Sequence, residues 1–139
     1  MRALIDTCII IDALQSRVPF AENAEKIFLA AANRSFEPFI TAKSSADIYY
    51  ITHRNTHSDE KTRQILAKLF LLFSPLDTTG NDCKQALISK VSDYEDAIMN
   101  ETAKRSSMDC IVTRNIKDYT DPSIPVLTPE KFIEALSIL

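Results

Sequence analysis

The sequence predicts an α/β protein of three layers, in which helices cover both faces of a mostly parallel sheet of about five strands. Short apolar runs alternate along the chain with longer segments whose apolar residues recur at helical spacing. Such alternation is typical of parallel sheets, because each connection between neighbouring parallel strands needs a crossover about as long as a helix. With 139 residues and no visible repeat or linker, the chain is expected to form one domain over residues 1–139.

The predicted elements follow the apolar pattern in order. They are a strand at 2–6, a helix reaching Leu14, a helix at 20–33, a strand at 38–41, helices at 42–54 and 59–73, a short strand near 73–77, a helix at about 81–90, a helix at 93–106, a strand at 109–113, a strand at 126–127 and a last helix from 129. Ser92 and Glu95 predict a capping box at the start of helix 93–106. Thr128 before Pro129 predicts the N-cap of the last helix.

Composition is that of an ordinary globular protein, with 45% hydrophobic and 25% charged residues. No apolar run approaches the roughly 20 residues of a membrane span, and Asp6 comes too early for a secretory signal. Three cysteines, odd in number and widely spaced, indicate neither a disulfide framework nor a zinc site. We therefore expect a cytoplasmic protein that does not interact with membranes.

The net charge of −3 disfavours nucleic-acid binding, which usually draws on clustered cations. The sequence still allows a local basic rim that binds phosphate, formed by Lys43, Arg54, Arg63, Lys104, Arg105, Arg114 and Lys117. The single glycine, Gly80, excludes a glycine-rich phosphate loop. Phosphate binding here would depend on side chains and metal.

Four acidic stations are expected to meet at one edge of the sheet. They are Asp6, Asp47, the pair Asp93 and Asp96, and the pair Asn115 and Asp118. Ligands of open parallel sheets bind beyond the carboxyl ends of the strands. Converging carboxylates repel one another unless a cation lies between them, and their hard oxygens suit Mg²⁺ or Mn²⁺. The pattern predicts metal-dependent cleavage of phosphodiester bonds.

The strongest stations are Asp6 and Asp96. Asp6 ends an apolar strand at a turn into a helix, where a helix N-cap is the alternative role. Asp93 and Asp96 lie three positions apart on one helix face, although acids in a first turn also simply complement the helix dipole. Asn100 and Lys104 continue that polar stripe. We favour Asp96 as the stronger ligand of its pair.

The remaining stations have competing structural interpretations. Asp47 stands among apolar residues, where a hydrogen bond to a neighbouring Ser or Tyr is the alternative to a catalytic role. Turn chemistry would explain Asn115 and Asp118, although Asn115 could orient a metal-bound water. Thr113 and Arg114 are candidates for contact with phosphate, and a surface charge is the alternative for Arg114.

Other polar and aromatic residues are expected to be structural. His53 and His57 have the spacing of a metal pair but lack a third ligand, so we expect surface histidines. Tyr49 and Tyr50 are expected to pack rather than to stack on bases. Asp12 is expected to be a solvated or locally bonded helix residue.

Three segments together resemble the PIN-domain nucleases: Leu4-Ile5-Asp6-Thr7, Asp93-Tyr94-Glu95-Asp96-Ala97, and the run from Ile111 to Tyr119. The segments Arg17 to Ala21 and Ile124 to Phe132 continue the likeness, which covers essentially the whole chain. It suggests the branch related to VapC-type toxins of bacterial toxin–antitoxin pairs. The resemblance implies an endoribonuclease dependent on Mg²⁺ or Mn²⁺, with RNA as substrate, a small antitoxin as partner and a homodimeric state.

Carried over by position, the resemblance assigns roles to individual residues. It implies that Asp6 is the first metal ligand, followed by Thr7, and that Asp96 is the third acidic residue. Asp93 is similar to an accompanying acid, and Asn115 with Asp118 occupies the fourth station.

Two departures from the family pattern bear on activity. Asp47 stands where the family often has Glu, and a carboxylate one methylene shorter would reach a metal only through water. Cys8 stands where Asn or Ser is common. A weakened module that binds RNA or a protein without cleavage is therefore the alternative function.

A phospho-acceptor signalling domain also gathers acids at strand ends. It would need an acceptor Asp at the end of a central strand, whereas Asp47 lies in a helical segment. A phosphatase with an Asp nucleophile is disfavoured, because Cys8 rather than a second acid stands two residues after Asp6.

Overall fold

The computed structural model describes residues 1–138 and confirms the predicted α/β class. The strands are β1 (Arg2–Ile5), β2 (Glu37–Thr41), β3 (Ser74–Leu76), β4 (Cys110–Val112) and β5 (Val126–Leu127). The helices are α1 (Thr7–Leu14), α2 (Ala21–Ala32), α3 (Ala42–Thr56), α4 (Asp59–Leu72), α5 (Gly80–Ala86), α6 (Tyr94–Arg105) and α7 (Pro129–Ile138), with a short 3₁₀ turn at Ile116–Asp118. None of the helices in this part of the chain combines the length and hydropathy that a membrane crossing requires.

All five strands are parallel and lie in the order β3-β2-β1-β4-β5. The chain therefore builds the sheet outward from β1 in one direction and then returns to build it in the other. The connections that leave β1 and β4 diverge to opposite sides, which opens a crevice above the carboxyl ends of these two strands. This crevice is where the topology places a ligand site.

The central strand β1 is apolar from Ala3 to Ile5 because both of its faces are buried there. Ala3 and Ile5 point into one core, which they share with apolar residues of α1, α2, α3, α4 and α7. Leu4 points the other way, into a second core with residues of α5 and α6. Two helical layers thus cover the sheet, as the sequence predicts.

Element ends differ from the predictions by at most four residues, and local chemistry explains several of the differences. Strand β1 ends at Ile5 because Asp6 caps the following helix. Helix α3 continues to Thr56 and is ended by His57, which has a left-handed φ of 52°. Helix α5 ends at Ala86 rather than near residue 90.

The predicted capping box at Ser92 is wrong. Asp93 is the N-cap of α6, and its carboxylate accepts a hydrogen bond from the amide of Asp96 at 3.0 Å. A capping box does occur at α5, between Thr79 and Asp82. The predicted cap of α7 is confirmed, since Thr128 Oγ1 accepts from the amide of Lys131 at 3.2 Å.

Candidate active site

A polar cavity of about 440 Å³ lies beside the carboxyl end of β1. Helix α3 forms one of its walls and the first turns of α6 form another. Its lining residues are Asp6, Thr7, Thr41, Lys43, Ser44, Asp47, Tyr50, Ile51, Arg54, Thr78, Glu95, Asp96, Ile98 and Met99. The fold thus brings three of the predicted acids, Asp6, Asp47 and Asp96, to one cavity.

Asp6 is held rigidly at the bottom of this cavity. It follows β1, caps α1, and is only 8% exposed. Its Oδ1 accepts from the amide of Thr7 at 2.7 Å, and its Oδ2 accepts from the hydroxyl of Thr113 at 2.7 Å. Because Thr113 follows β4, this bond joins the ends of the two strands that border the crevice. The sequence left two roles open for Asp6, that of a helix cap and that of a site residue. The structure shows that Asp6 caps α1 and also lines the cavity.

Cys8 also contacts Asp6, with its thiol donating to Oδ2 at 3.5 Å. Burial, and then the charge of Asp6, raises the pKa of Cys8 to about 11. The thiol therefore stays protonated near neutral pH and keeps its donor role. Cys8, which departs from the Asn or Ser common in the family, thus supplies a hydrogen-bond donor to Asp6.

Thr7 lines the cavity and links the end of β1 to α3, which follows β2. Its hydroxyl donates to Ser44 Oγ at 2.9 Å, and Ser44 Oγ lies 2.7 Å from Thr41 Oγ1. This chain of hydroxyls connects the end of β1 with the start of α3. Ser44 and Thr41 are buried, and their place in the site was not predicted.

Asp96 lies half-buried in the first turns of α6, facing the cavity. Burial raises the pKa of its carboxyl to about 7, and the charges of Asp6, Asp93 and Asp118 add to the effect. Asp93 and Asp118 do not line the cavity, but they are close enough to repel a charge on Asp96. The two acids behind Asp96 therefore act on it electrostatically.

Tyr119 is buried and donates to Sδ of Met99 at 3.2 Å, and Met99 lines the cavity. Burial and the charges of Asp6 and Asp96 raise the pKa of Tyr119. Asn100, expected to extend the polar stripe of α6 in the crevice, is instead buried. Its side chain bonds the amide and hydroxyl of Ser123 at 3.0 and 3.1 Å, so it anchors the loop before β5.

Asp47 lies on the α3 side of the cavity and is half exposed. Lys43 Nζ is 3.5 Å from its carboxylate and 3.8 Å from that of Glu95 on α6. The alternative of a hydrogen bond to a neighbouring Ser or Tyr is not what the structure shows. Glu95 was missed as a site residue because its position in the sequence fits a capping box, and its one further signal is that it directly precedes Asp96.

Asn115, Asp118 and Arg114 lie outside the cavity lining. The amide of Asn115 donates to Thr113 Oγ1 at 3.1 Å, and no side-chain hydrogen bond of Asn115 occurs within residues 1–138. Asp118 lies exposed in the 3₁₀ turn. The fourth station is thus present near Asp96 but is not part of the cavity wall.

Arg114 has a structural partner rather than a free guanidinium. It bonds both carboxylate oxygens of Asp12, at 2.6 and 3.1 Å, and its guanidinium lies 3.9 Å from the ring centroid of Phe20. The expectation that Asp12 is solvated or locally bonded is wrong, since it is only 1% exposed and its partner Arg114 is 102 positions away. The pair fixes the loop after β4 to α1.

Of the predicted basic rim, Lys43 and Arg54 line the cavity. Three other candidates have carboxylate partners elsewhere: Arg63 with Asp59, Arg105 with Asp82, and Arg114 with Asp12. The cavity therefore combines the carboxylates of Asp6 and Asp96 with two cations on the α3 side. This local arrangement is not visible in the net charge.

Of the two tyrosines of α3 that were expected to pack, Tyr49 does so and Tyr50 does not. Tyr50 is 65% exposed and borders the cavity, so it is not a packing residue. Tyr49 is partly buried, stacks on His53 with ring centroids 5.7 Å apart, and donates to Asp59. His57 is an exposed residue that ends the helix, as expected of a surface histidine.

The carboxylates of the site are ligands that a hard divalent cation prefers. Their arrangement suits an ion that keeps several of its waters. Within residues 1–138, no three His, Cys, Asp or Glu side chains are close enough to ligate one ion directly. Mg²⁺ is commonly held by one or two carboxylates and keeps several waters. Asp6 and Asp96 supply two carboxylates on one cavity, and burial, followed by the charge of Asp6, raises the pKa of Asp96 to about 7.

Comparison with solved structures gives the same fold. A chain of a toxin–antitoxin complex from Klebsiella pneumoniae matches at 24% identity and a TM-score of 0.66, covering 91% of this chain and 97% of that one. VapBC2 from Rickettsia felis, bound to a DNA fragment from its promoter, matches at 15% identity and 0.64, covering 92% and 98%. FitAcB from Neisseria gonorrhoeae matches at 17% and 0.65, covering 92% and 98%.

A search of curated proteins finds no match. A family model described as PIN domain matches residues 2–117, which include Asp6, Asp47, Asp93, Asp96 and Asn115. That range holds four of the five strands and the entire cavity lining. The chain belongs to the PIN domain family.

Proposed function

We propose that this protein is an endoribonuclease that uses Mg²⁺ or Mn²⁺ to hydrolyse phosphodiester bonds of RNA. The observation that carries the proposal is that Asp6 and Asp96 face one open cavity, where burial, and then the charges of Asp6, Asp93 and Asp118, raise the pKa of Asp96 to about 7. Strongly perturbed acids in a cleft are typical of functional sites. Membership of a family that is generally nucleolytic supports the same conclusion.

In this proposal Asp6 and Asp96 hold the cation directly. Thr113 and Cys8 orient Asp6 through their hydrogen bonds, which leaves its carboxylate little freedom to rotate. When bound, the cation would supply an activated water and stabilise the charge that develops on the phosphate. Asp47, with its shorter side chain and its partner Lys43, contributes through water.

Asp93 and Asp118 assist from outside the cavity. Their charges raise the pKa of Asp96, so they also draw a cation toward it. Asn115 follows the strand-end Thr113 and is available to orient a water at the edge of the site. Arg114 is left with the structural role described above.

The cellular role that we propose is that of a toxin in a toxin–antitoxin pair. Support comes from the solved structures that share the fold, which include a toxin–antitoxin complex and VapBC2 on promoter DNA. A small antitoxin protein would then bind the chain, and we propose a homodimer in the cytoplasm as its working state. A neighbouring gene for a small DNA-binding protein would be the first genetic support.

The decisive test is cleavage of a labelled structured RNA by purified wild type and Asp96→Asn. We expect cleavage with Mn²⁺, none with EDTA, and a loss of at least about a hundredfold in Asp96→Asn. Asp121→Asn is the matched control, because Asp121 is an exposed acid paired with Lys90 away from the cavity. An Asp96→Asn protein as active as Asp121→Asn would overturn the assignment.

A weakened module that binds RNA or a protein is the second candidate. The ion pair between Asp47 and Lys43 favours it, because the second acid is partly neutralised without metal. Asp47→Glu distinguishes the two functions. The longer carboxylate should raise the cleavage rate of a working nuclease and leave a pure binding module inactive.

A further inference from the structure

We propose that one face of α3, the α3 ridge formed by Lys43, Tyr50 and Arg54, binds a single-stranded segment of nucleic acid. Tyr50 stacks on an unpaired base, and the two cations contact the flanking phosphates. The proposal rests on the nuclease activity proposed above, since it names the groups of the substrate that the same cavity would hold.

Tyr50 stands on the boundary between two concave surfaces. On one side is the acidic cavity, and on the other an apolar groove of about 690 Å³ whose lining includes Ala46, Leu66 and Phe70. At 65% exposure, most of the ring is left in water. An aromatic ring in this position can cover one face of a base that leaves the cavity.

The orientation of the Tyr50 ring is set by its neighbours. Tyr49 packs edge-on against it, with centroids 5.3 Å apart and an interplanar angle of 90°. Tyr49 is in turn held by stacking on His53 and by its hydrogen bond to Asp59. A base would therefore meet a ring that is already oriented, which lowers the entropy lost on binding.

The two cations lie on the same side of α3 as Tyr50, because positions 43, 47, 50 and 54 recur at helical spacing. Arg54 is exposed and makes no hydrogen bond or ion pair within residues 1–138, although it lines the cavity. Among the residues that the structure describes, Lys43 has two ion-pair partners, Asp47 at 3.5 Å and Glu95 at 3.8 Å. Both can be directed to phosphate oxygens at little cost.

The spacing along the helix suits an extended strand. Lys43 and Arg54 are about 16 Å apart along the axis at 1.5 Å per residue, with Tyr50 between them. Alternating cations and an aromatic ring are the elements with which proteins hold single strands. A base pair within a duplex hides both faces of its bases, so stacking on Tyr50 requires an unpaired nucleotide.

The test measures binding separately from cleavage. A short single-stranded RNA with 2-aminopurine at successive positions is titrated with protein in EDTA, so that the strand stays intact. We expect quenching of 2-aminopurine at one position by wild type. Tyr50→Leu should lose that quenching and bind roughly ten- to hundredfold more weakly, whereas Tyr50→Phe should stay within a few-fold of wild type.

Matched controls come from α4. Leu71→Ala removes an apolar side chain that is 77% exposed and lies outside both concave surfaces, and it should leave binding unchanged. Arg54→Ala should reduce the slope of log affinity against log salt by about 0.7, the value for one phosphate contact on a single strand. Lys68→Ala, at another exposed cation, should leave the slope unchanged.

Two results would overturn the proposal: Tyr50→Leu binding and quenching like wild type, or Tyr50→Phe being as weak as Tyr50→Leu. The ridge would then be a surface for a protein partner. Wild type that binds no single strand but cleaves RNA with Mn²⁺ would overturn the ridge assignment and leave the nuclease intact. Binding that depends on Tyr50, without RNA cleavage in the presence of any metal, would support the ridge assignment and overturn the proposed nuclease activity.

Discussion

At the scale of single residues, the carboxyl of Asp96 links metal binding to pH. With its pKa raised to about 7, protons and cations compete for it under ordinary conditions. We predict that the affinity for Mn²⁺ falls about tenfold for each pH unit below about 7, and that binding there releases a proton. Calorimetric titration in buffers of different ionisation enthalpy measures both. A Mn²⁺ affinity that does not change between about pH 5.5 and about pH 8 would contradict the prediction.

The same pKa fixes the sign of a stability effect in the metal-free protein, which serves as a control. The pKa of Asp96 is about 7 in the folded state, above the ordinary 3.8, so the folded state favours the protonated form. Its contribution to stability is intact below about pH 4 and is lost as the pH rises through about 7. In EDTA, Asp96→Asn should therefore melt above wild type near pH 8, and the difference should vanish near pH 4.

The positions of residues were predictable where the cause is local and unpredictable where it is distant. Asp6 and Asp96 were expected at one place because strand ends and helix faces can be derived from neighbouring residues, and both line the cavity. The burial of Asp12 was not, because its partner Arg114 is 102 positions away. The exposure of Tyr50 depends on how α3 lies beside the cavity, which no pattern within α3 reveals.

At the scale of elements, helix caps give a matched pair of substitutions. Thr79 caps α5 in a capping box, whereas Ser92 precedes the true cap of α6 and its hydroxyl makes one long bond of 3.4 Å. We predict that Thr79→Ala lowers the free energy of unfolding by about 1 kcal/mol. Ser92→Ala should change it by less than about 0.5 kcal/mol. Urea denaturation measures both, and equal losses would contradict the assignment of the caps.

Apolar periodicity and capping signals predicted every strand and α-helix of residues 1–138, but not the 3₁₀ turn at Ile116–Asp118, and the ends of the elements were harder to predict. Ser92 and Asp93 are adjacent and both suit an N-cap, so backbone geometry decides between them. Helix α5 stops at Ala86, and the exposed Leu87 and Ile88 that follow still match an apolar pattern. A pattern of residue types cannot tell a buried apolar side chain from an exposed one.

At the scale of the whole molecule, we propose that residues 1–139 unfold as one unit, because both cores share the single sheet. Ile27 belongs to one core and Ile111 to the other, and both are fully buried. Truncating either to Ala should cost about 3 kcal/mol. Tyrosine fluorescence and far-UV circular dichroism should report the same midpoint for each variant. Two separated transitions would show that the layers are independent.

Both edge strands of the sheet, β3 and β5, disfavour the addition of a further strand. Strand β5 has two residues and β3 has three, and the middle residue of β3 is Pro75, which has no amide hydrogen to offer a further strand. Short edges and proline are how native sheets avoid adding strands from other molecules. Crowded copies of this protein would therefore resist joining into fibrillar aggregates through their backbones, and any specific assembly must be made by side chains on the helical layers.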